Sequence, residues 1–144
     1  MTLYHLSLHD PETSYDDYDE AFFIGVFRAA EEAEQTARRY LASVPGFKDH
    51  PCVSSIAEKP VHGESIREDR VYWVEGWNWN EQQDEVDVVQ SDDFASKTDA
   101  EEALTKMKRE HPCTEWTVAS APLCQCYWQE GFERYTYITA NPSS

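Results

Sequence analysis

Apolar and polar residues alternate near the start of the chain, and further along the apolar residues recur at helical spacing. Residues 3–8 follow a period of two, and residues 22–27 are rich in aromatic and β-branched side chains, so both segments are predicted as strands. From residue 30 to about residue 44, small apolar residues recur every three or four positions. This pattern predicts a helix, which Pro45-Gly46 ends.

A second helix is predicted in the other half of the chain. The apolar positions between residues 100 and 107 have helical spacing, and Thr98 with Glu101 has the spacing of a capping box. The first helix has no comparable start signal, because Arg28 and Ala29 offer no good capping oxygen. We therefore expect the second helix to have the better-defined N-terminus.

The segments that follow each helix are predicted to form hairpins. Residues 53–61 are expected to pair with residues 70–79, and residues 114–123 with residues 124–132. Residues 135–139 are a further candidate strand.

Four short motifs occur in the same order in both parts of the chain. Glu-Glu-Ala occurs at residues 31–33 and 101–103, and His-Pro-Cys occurs at 50–52 and 111–113. A proline follows at 60 and 122, and Tyr-Trp-x-Glu-Gly occurs at 72–76 and 127–131. The repetition predicts an internally duplicated α+β fold of (β)βαββ units, mainly antiparallel, with two helices packed on one face. The first unit spans residues 1–80 and the second spans residues 81–144, and together they are expected to form one compact pseudo-symmetric domain.

The chain is strongly acidic. Its 28 acidic and 12 basic side chains give a formal net charge of −16. Such a surface repels nucleic acid and anionic membranes and attracts a basic protein, although acidity also serves solubility alone. Residues 10–20 and residues 81–93 each hold six carboxylates and no Lys or Arg, so they are predicted to be solvated loops that could dock a partner.

Neither a membrane span nor a secretion signal is predicted. No apolar run approaches the roughly 20 residues that cross a bilayer, and residues 1–10 lack the basic-then-apolar layout of a signal peptide. We therefore expect a cytoplasmic protein.

The Tyr-Trp-x-Glu-Gly motif is the best candidate for a binding site. On a strand, Trp73 and Glu75 lie on one face, and Trp128 and Glu130 would do the same in the second unit. A carboxylate beside large rings suits a cationic ligand through ion pairing and cation–π attraction. The alternative is that the rings belong to the core and each Glu bonds to a neighbouring backbone amide or Arg.

Catalytic and metal-binding signatures are absent from the sequence. It contains no Gly-rich phosphate loop, no Gly-x-Ser-x-Gly elbow and no His-Glu-x-x-His, so neither catalysis nor a cofactor is predicted. Zinc accepts Cys and His ligands, but there is no Cys-x-x-Cys pair, and reduced structural thiols are expected instead of a metal site. The cysteines to which this alternative applies are Cys52, Cys113, Cys124 and Cys126.

Residues 22–77 resemble a small family of uncharacterised bacterial proteins, a domain of unknown function. The resemblance rests on Phe-Ile-Gly-Val-Phe at residues 23–27, Glu-Glu-Ala at 31–33, Pro-Gly-Phe-Lys-Asp-His-Pro at 45–51 and Tyr-Trp-x-Glu-Gly-Trp at 72–77. It is looser in the second unit and implies no catalytic residue. By size and charge alone, the chain is also similar to acidic bacterial immunity proteins.

The sequence therefore predicts a non-catalytic acidic binding protein, with a bacterial immunity or inhibitor protein as its sharpest form. A basic protein is the expected partner, and the chain itself is expected to be a monomer or a homodimer. The residues predicted to contact the partner are Asp16, Asp17, Asp19, Glu20, Trp77, Trp79, Asp84, Glu85 and Asp87. The alternative is a module for small cationic ligands that uses Trp73, Glu75, Trp128 and Glu130.

Overall fold

Six strands and two helices lie in the parts of the chain that the computed structural model describes, residues 1–11, 21–80 and 85–132. The chain is therefore α+β, as predicted. In chain order, the elements are β1 (Thr2–His9), β2 (Ala21–Phe27), α1 (Ala30–Ser43), β3 (Val53–His62), β4 (Arg70–Asn80), β5 (Glu85–Phe94), α2 (Lys97–Glu110) and β6 (Glu115–Pro122).

All six strands belong to one curled sheet in the order β2-β1-β3-β5-β4-β6. Neighbouring strands are antiparallel except β3 and β5, which run parallel where Val61 pairs with Asp93. The two edge strands also meet: Val26 of β2 forms a parallel bridge with Leu123, and the Cys124 amide donates to the Val26 carbonyl at 2.8 Å. The curled sheet therefore has an inner face as well as an outer one.

The element order ββαβ occurs twice along the chain, first in β1, β2, α1 and β3 and then in β4, β5, α2 and β6. In each half the first strand is central and pairs with the other two. Tyr4 of β1 pairs with Phe27 of β2, and Tyr72 of β4 pairs with Phe94 of β5.

Both predicted hairpins are wrong. Residues 53–61 lie in β3, which pairs with β1, and residues 70–79 lie in β4, which pairs with β5 and β6. Residues 114–123 contain β6, which pairs with β4 and not with residues 124–132. The local alternation predicted these strands correctly, but it carries no information about which strand lies beside which.

Strand β5 lies in a segment that was predicted to be an acidic loop, residues 81–93. That prediction rested on the six carboxylates and the lack of Lys and Arg in the segment. Residues 81–84 lie outside the described residues.

Residues 124–132 form turns instead of the predicted strand. Cys124 and Trp128 have φ angles of 59° and 60°, in the left-handed region, which interrupts an extended chain. The predicted strand at residues 135–139 lies outside the described part of the chain. Amides of the turn segment donate to the carbonyls of Val26, Ile24 and Pro45.

Helix α1 packs on the outer face of the sheet. Its buried residues Ala33, Ala37 and Tyr40 share one apolar cluster with Leu6 and Leu8 of β1. Small side chains let the helix approach the sheet closely. No side chain caps its N-terminus, as the sequence predicted.

Helix α2 is capped by Ser96, whose side chain accepts from the Asp99 amide at 3.1 Å. Thr98 was predicted for this role and lies inside the first turn instead. The prediction took the Thr98–Glu101 spacing as the capping box and overlooked Ser96–Asp99, which has the same spacing two residues earlier.

Helix α1 connects β2 to β3, two parallel strands on either side of β1. Helix α2 connects β5 to β6, two parallel strands on either side of β4. All four connected strands point the same way, and both connections run in the same direction along the sheet. The right-handed rule for such connections assigns both helices to the same face. On the opposite, inner face lies a second cluster of buried residues, formed by Leu3, Val26, Val71, Trp73, Ala121 and Leu123. Neither described helix has the length and apolar composition needed to cross a membrane.

Candidate functional site

A cavity of about 260 Å³, here called the inner cavity, opens beside the inner-face cluster. It draws side chains from β1, β2, β3, β4 and β5, so both halves of the chain contribute to it. Its lining residues are His5, Ser7, Phe23, Ser55, Ala57, Lys59, Trp73, Glu75 and Gln90.

The alternation along β1 explains why polar side chains reach this cavity. Leu6 and Leu8 pack against α1, so His5 and Ser7, which alternate with them, lie on the inner face. A strand that is apolar on one face and polar on the other usually turns its polar face to solvent. Here the curl of the sheet places that face in a cavity.

His5 forms a buried contact with the second half of the chain. Its Nε2 lies 2.7 Å from Asp93 Oδ2, and the two side chains are 12% and 0% exposed. Asp93 Oδ1 has no hydrogen-bond partner among the described residues. A buried carboxylate is costly unless it is paired, so the His5 contact stabilises Asp93 and fixes the orientation of the imidazole ring.

Glu75 is held by two donors. Trp73 Nε1 donates to Glu75 Oε1 at 2.7 Å, and Gln90 Nε2 donates to the same oxygen at 3.2 Å. The prediction that Trp73 and Glu75 share one face is therefore confirmed. The buried indole forms a wall of the inner cavity, and its N–H orients the carboxylate.

Lys59 adds a positive charge to the same cavity. Its Nζ donates to the Ser91 carbonyl at 3.2 Å, across the contact between β3 and β5. Within the described residues, neither Lys59 nor Glu75 has an oppositely charged group within 4.0 Å. The inner cavity therefore presents one ammonium and one carboxylate that do not neutralise each other in a direct ion pair.

A second cavity of about 250 Å³, the rim cavity, shares two walls with the first, Phe23 and Trp73. Its remaining lining residues are Ser120, Tyr127 and Trp128. Trp128 is 48% exposed and Tyr127 is 43% exposed, so this site is an open aromatic surface.

The predicted pairing of Trp128 with Glu130 on one strand face is wrong. No strand forms there, because the left-handed conformation at Trp128 turns the chain. Trp128 packs edge to face on Phe22 with 4.9 Å between ring centroids, and exposed Glu130 lines neither the inner nor the rim cavity. The two Trp-x-Glu motifs therefore do not form equivalent sites.

Several residues predicted to contact a partner lie on strands. Trp77 and Trp79 are both in β4. Glu85 and Asp87 are in β5 and not in a loop. The remaining predicted contact residues, Asp16, Asp17, Asp19, Glu20 and Asp84, lie outside the described residues.

Two cysteines line a third cavity, of about 430 Å³, between α1 and the turn segment. Cys126 Sγ lies 3.9 Å from Arg39 Nη2, and Cys124 Sγ lies 3.8 Å from Glu32 Oε2. No disulfide joins any two of the described cysteines. Within the described ranges, no three His, Cys, Asp or Glu side chains gather in a way that could hold a metal ion.

Tyr40 links α1 to the segment that bears the exposed rings. Its hydroxyl donates to the Tyr127 carbonyl at 2.8 Å. Burial, assisted by the neighbouring Cys126, raises the pKa of Tyr40 to about 12, because the phenolate would be poorly solvated.

The ionisable residues of the inner cavity region that sequence reasoning missed are His5, Lys59 and Asp93. The alternation in β1 and β3 carried a usable signal for the first two, since both occupy inward positions on predicted strands. Asp93 could not be found in this way, because its strand had been interpreted as a loop.

Comparison of the chain with family models, with curated proteins and with solved structures finds no match. The resemblance to uncharacterised bacterial proteins therefore stays a prediction.

Proposed function

We propose that this chain is a binding protein for small molecules and that it takes a cationic group into the inner cavity. The observation that carries the proposal is the carboxylate of Glu75, held by Trp73 and Gln90 beside aromatic walls. A cation at this position gains ion pairing from the carboxylate and attraction from the ring faces. Preorganisation by two donors lowers the entropic cost of binding.

The size of the cavity limits the ligand. A volume of about 260 Å³ lies near the lower end of the range for ligand pockets. The ligand is therefore a small metabolite and not a peptide or a nucleotide. We assign no catalytic step and no cofactor, and His5 acts by supporting the Trp73 ring, with 4.9 Å between the ring centroids.

The proposal is tested by calorimetric titration with choline and with its uncharged isostere 3,3-dimethylbutan-1-ol. We expect choline to bind at least about tenfold more tightly than the isostere, and Glu75→Gln to remove this difference. Glu130→Gln is the matched control and should leave choline affinity unchanged, because Glu130 is exposed and outside both the inner and rim cavities. Equal affinity for the two probes, or full affinity in Glu75→Gln, would contradict the proposal.

A second candidate is docking of a basic protein, as in an immunity or inhibitor protein. It is favoured by the net charge of −16 together with the exposure of Tyr127 and Trp128 at the rim cavity. Exposed Trp and Tyr side chains are frequent anchors of protein interfaces. In this proposal the acidic residues steer the partner, and Trp77 and Trp79 remain candidate anchors in addition to Tyr127 and Trp128.

Salt dependence distinguishes the two candidates. Association of a basic partner should slow strongly as ionic strength rises, and Asp16, Asp17 and Asp19 replaced together by Asn should slow it at low salt. Trp128→Ala should instead accelerate dissociation. If neither salt nor the Asn substitutions change the association rate, the acidic residues do not steer the partner.

We also propose that the two halves are a structural repeat. The register shift in the first half lies between Leu6 and Ser7, and that in the second half lies between Trp73 and Glu75. Tyr4 of β1 and Tyr72 of β4 occupy corresponding positions, because each pairs with a phenylalanine of the next strand. The two register shifts follow these tyrosines within three residues. Shared bulge positions are typical of related β-structures, which supports the proposal.

The parallel contacts support the same proposal. Val26 precedes Phe27 in β2 as Asp93 precedes Phe94 in β5, and these two phenylalanines pair with the corresponding tyrosines of the central strands. Val26 bridges to Leu123, after β6, and Asp93 pairs with a residue near the end of β3. The repeat therefore relates an apolar position in one half to a buried carboxylate in the other.

A cytoplasmic location also stays a prediction.

A further inference from the structure

Lys59 has surroundings that the proposed cation site does not explain. It is a half-buried lysine in a chain with more than twice as many acidic as basic side chains, yet no described carboxylate lies within 4.0 Å of its Nζ. Its contact is the neutral Ser91 carbonyl. An ammonium group has three donors, so this bond leaves Lys59 able to donate further.

The Ser91 bond also determines where the ammonium is held. Ser91 belongs to β5, and Lys59 lies on β3, so the bond crosses the contact between the two halves. Lys59 lines the inner cavity together with Glu75, and the Ser91 bond restrains its ammonium group there. The cavity that holds the Glu75 carboxylate therefore also holds a fixed positive group.

The two charges make the cavity selective. A ligand that is only a cation meets the repulsion of Lys59, and a ligand that is only an anion meets the repulsion of Glu75. A ligand with both charges satisfies both side chains. His5, already engaged with Asp93, lines the cavity beside them.

We infer that the ligand is a small zwitterion whose ammonium group contacts Glu75 and whose carboxylate contacts Lys59. This inference rests on the proposed cation site and adds the second anchor to it. The chemical class comprises betaines and amino acids of a size that a cavity of about 260 Å³ can hold.

Four probes of nearly the same shape form a complete charge cycle for the test. They are the zwitterion glycine betaine, the cation choline, the anion 3,3-dimethylbutyrate and the neutral 3,3-dimethylbutan-1-ol. Titration calorimetry of the full chain should give glycine betaine the highest affinity, at least about tenfold above choline and 3,3-dimethylbutyrate.

Substitutions assign each charge of the ligand to its side chain. In Lys59→Met, glycine betaine should lose its advantage over choline, and in Glu75→Gln it should lose its advantage over 3,3-dimethylbutyrate. Lys59→Arg should preserve part of the preference because it retains the charge. Lys48→Met is the matched control at an exposed lysine outside the cavity and should change nothing. Thermal unfolding of each variant verifies that it is folded.

The outcomes separate this inference from the proposed function. If choline binds through Glu75 as tightly as glycine betaine, or if Lys59→Met leaves the preference for glycine betaine intact, Lys59 does not bind a carboxylate of the ligand, so the inference is overturned and the cation site stands. If none of the four probes binds the folded protein, both are overturned. The inference predicts that glycine betaine loses its advantage over choline in Lys59→Met and its advantage over 3,3-dimethylbutyrate in Glu75→Gln, and that the control variant keeps both.

Discussion

The His5 ring meets the Trp73 ring edge to face, with 4.9 Å between their centroids. His5 lies on β1 and Trp73 on β4, the central strands of the two halves. From His5 the contacts continue to Asp93, and from Trp73 they continue to Glu75. A buried carboxylate is thereby connected through two rings to the carboxylate of the inner cavity, so the orientation of the binding group depends on contacts between the halves.

The buried pair should contribute far more to stability than its exposed neighbour. Asp93→Ala leaves His5 without its partner in a largely buried place, and we expect a loss of about 3 kcal/mol in the free energy of unfolding. Asp92→Ala is the matched control: Asp92 pairs with His62 at 2.9 Å, but both side chains are about half exposed. That change should cost less than about 1 kcal/mol. Urea unfolding measures both, and equal losses would argue against a stabilising role for the His5–Asp93 pair.

The N-terminus of α2 distinguishes the observed cap from the predicted one. Ser96→Ala removes the acceptor of the Asp99 amide and should destabilise the protein by about 1 kcal/mol. Thr98→Ala lies within the first turn and should change stability by less than about 0.5 kcal/mol. Thermal unfolding of the two variants tests the assignment. A larger loss in Thr98→Ala would restore the sequence-based prediction.

The turn segment depends on Gly131. Its φ is +85°, and a Cβ atom there would overlap the Pro45 carbonyl oxygen. Gly131→Ala should therefore cost at least about 2 kcal/mol, since backbone strain and a clash with main chain add together. Glu130→Ala, at the exposed neighbouring position, should be nearly neutral. If chemical denaturation shows that Gly131→Ala is as stable as the control, the close approach to Pro45 is incorrect.

Alkaline pH should destabilise the protein through Tyr40. Its pKa is about 12 in the folded protein against an ordinary value of 10.0, so the unfolded chain loses this proton at lower pH than the folded one. The contribution to stability is complete below pH 10 and is lost as the pH rises towards 12. Stability curves of the wild type and Tyr40→Phe should therefore differ in slope in this interval. Ultraviolet titration should also show one tyrosine that ionises late, and parallel stability curves would contradict the assignment.

Five of the six described strands and both helices could be predicted from local patterns. Their pairing could not, because the partner of a strand depends on contacts between distant parts of the chain. Glu75 has one contact of each kind. Its placement beside Trp73 follows from the period of two and could be predicted, whereas its bond to Gln90 depends on the position of β5 in the sheet and could not.

Non-glycine residues in the left-handed region explain the main error at the candidate site. Nothing in the local sequence marks Cys124 or Trp128 as a turn position, since neither is Gly, Asn or Asp. The repeated Trp-x-Glu motif therefore predicted a second site that the chain does not form. The His5–Asp93 contact, in contrast, was not predicted although it forms. The inward position of His5 follows from the alternation in β1, but its partner Asp93 lies in a strand that was not predicted.

The most direct test of the inner cavity is the indole N–H signal of Trp73 in a ¹H–¹⁵N nuclear magnetic resonance titration with choline. Trp73→Phe assigns the signal among the five tryptophans of the chain. Because this N–H donates to the binding carboxylate, its signal should move in a saturable way in the wild type, and choline should not shift it in Glu75→Gln. A Trp73 signal that stays fixed while choline saturates the protein would place the ligand elsewhere and contradict the account.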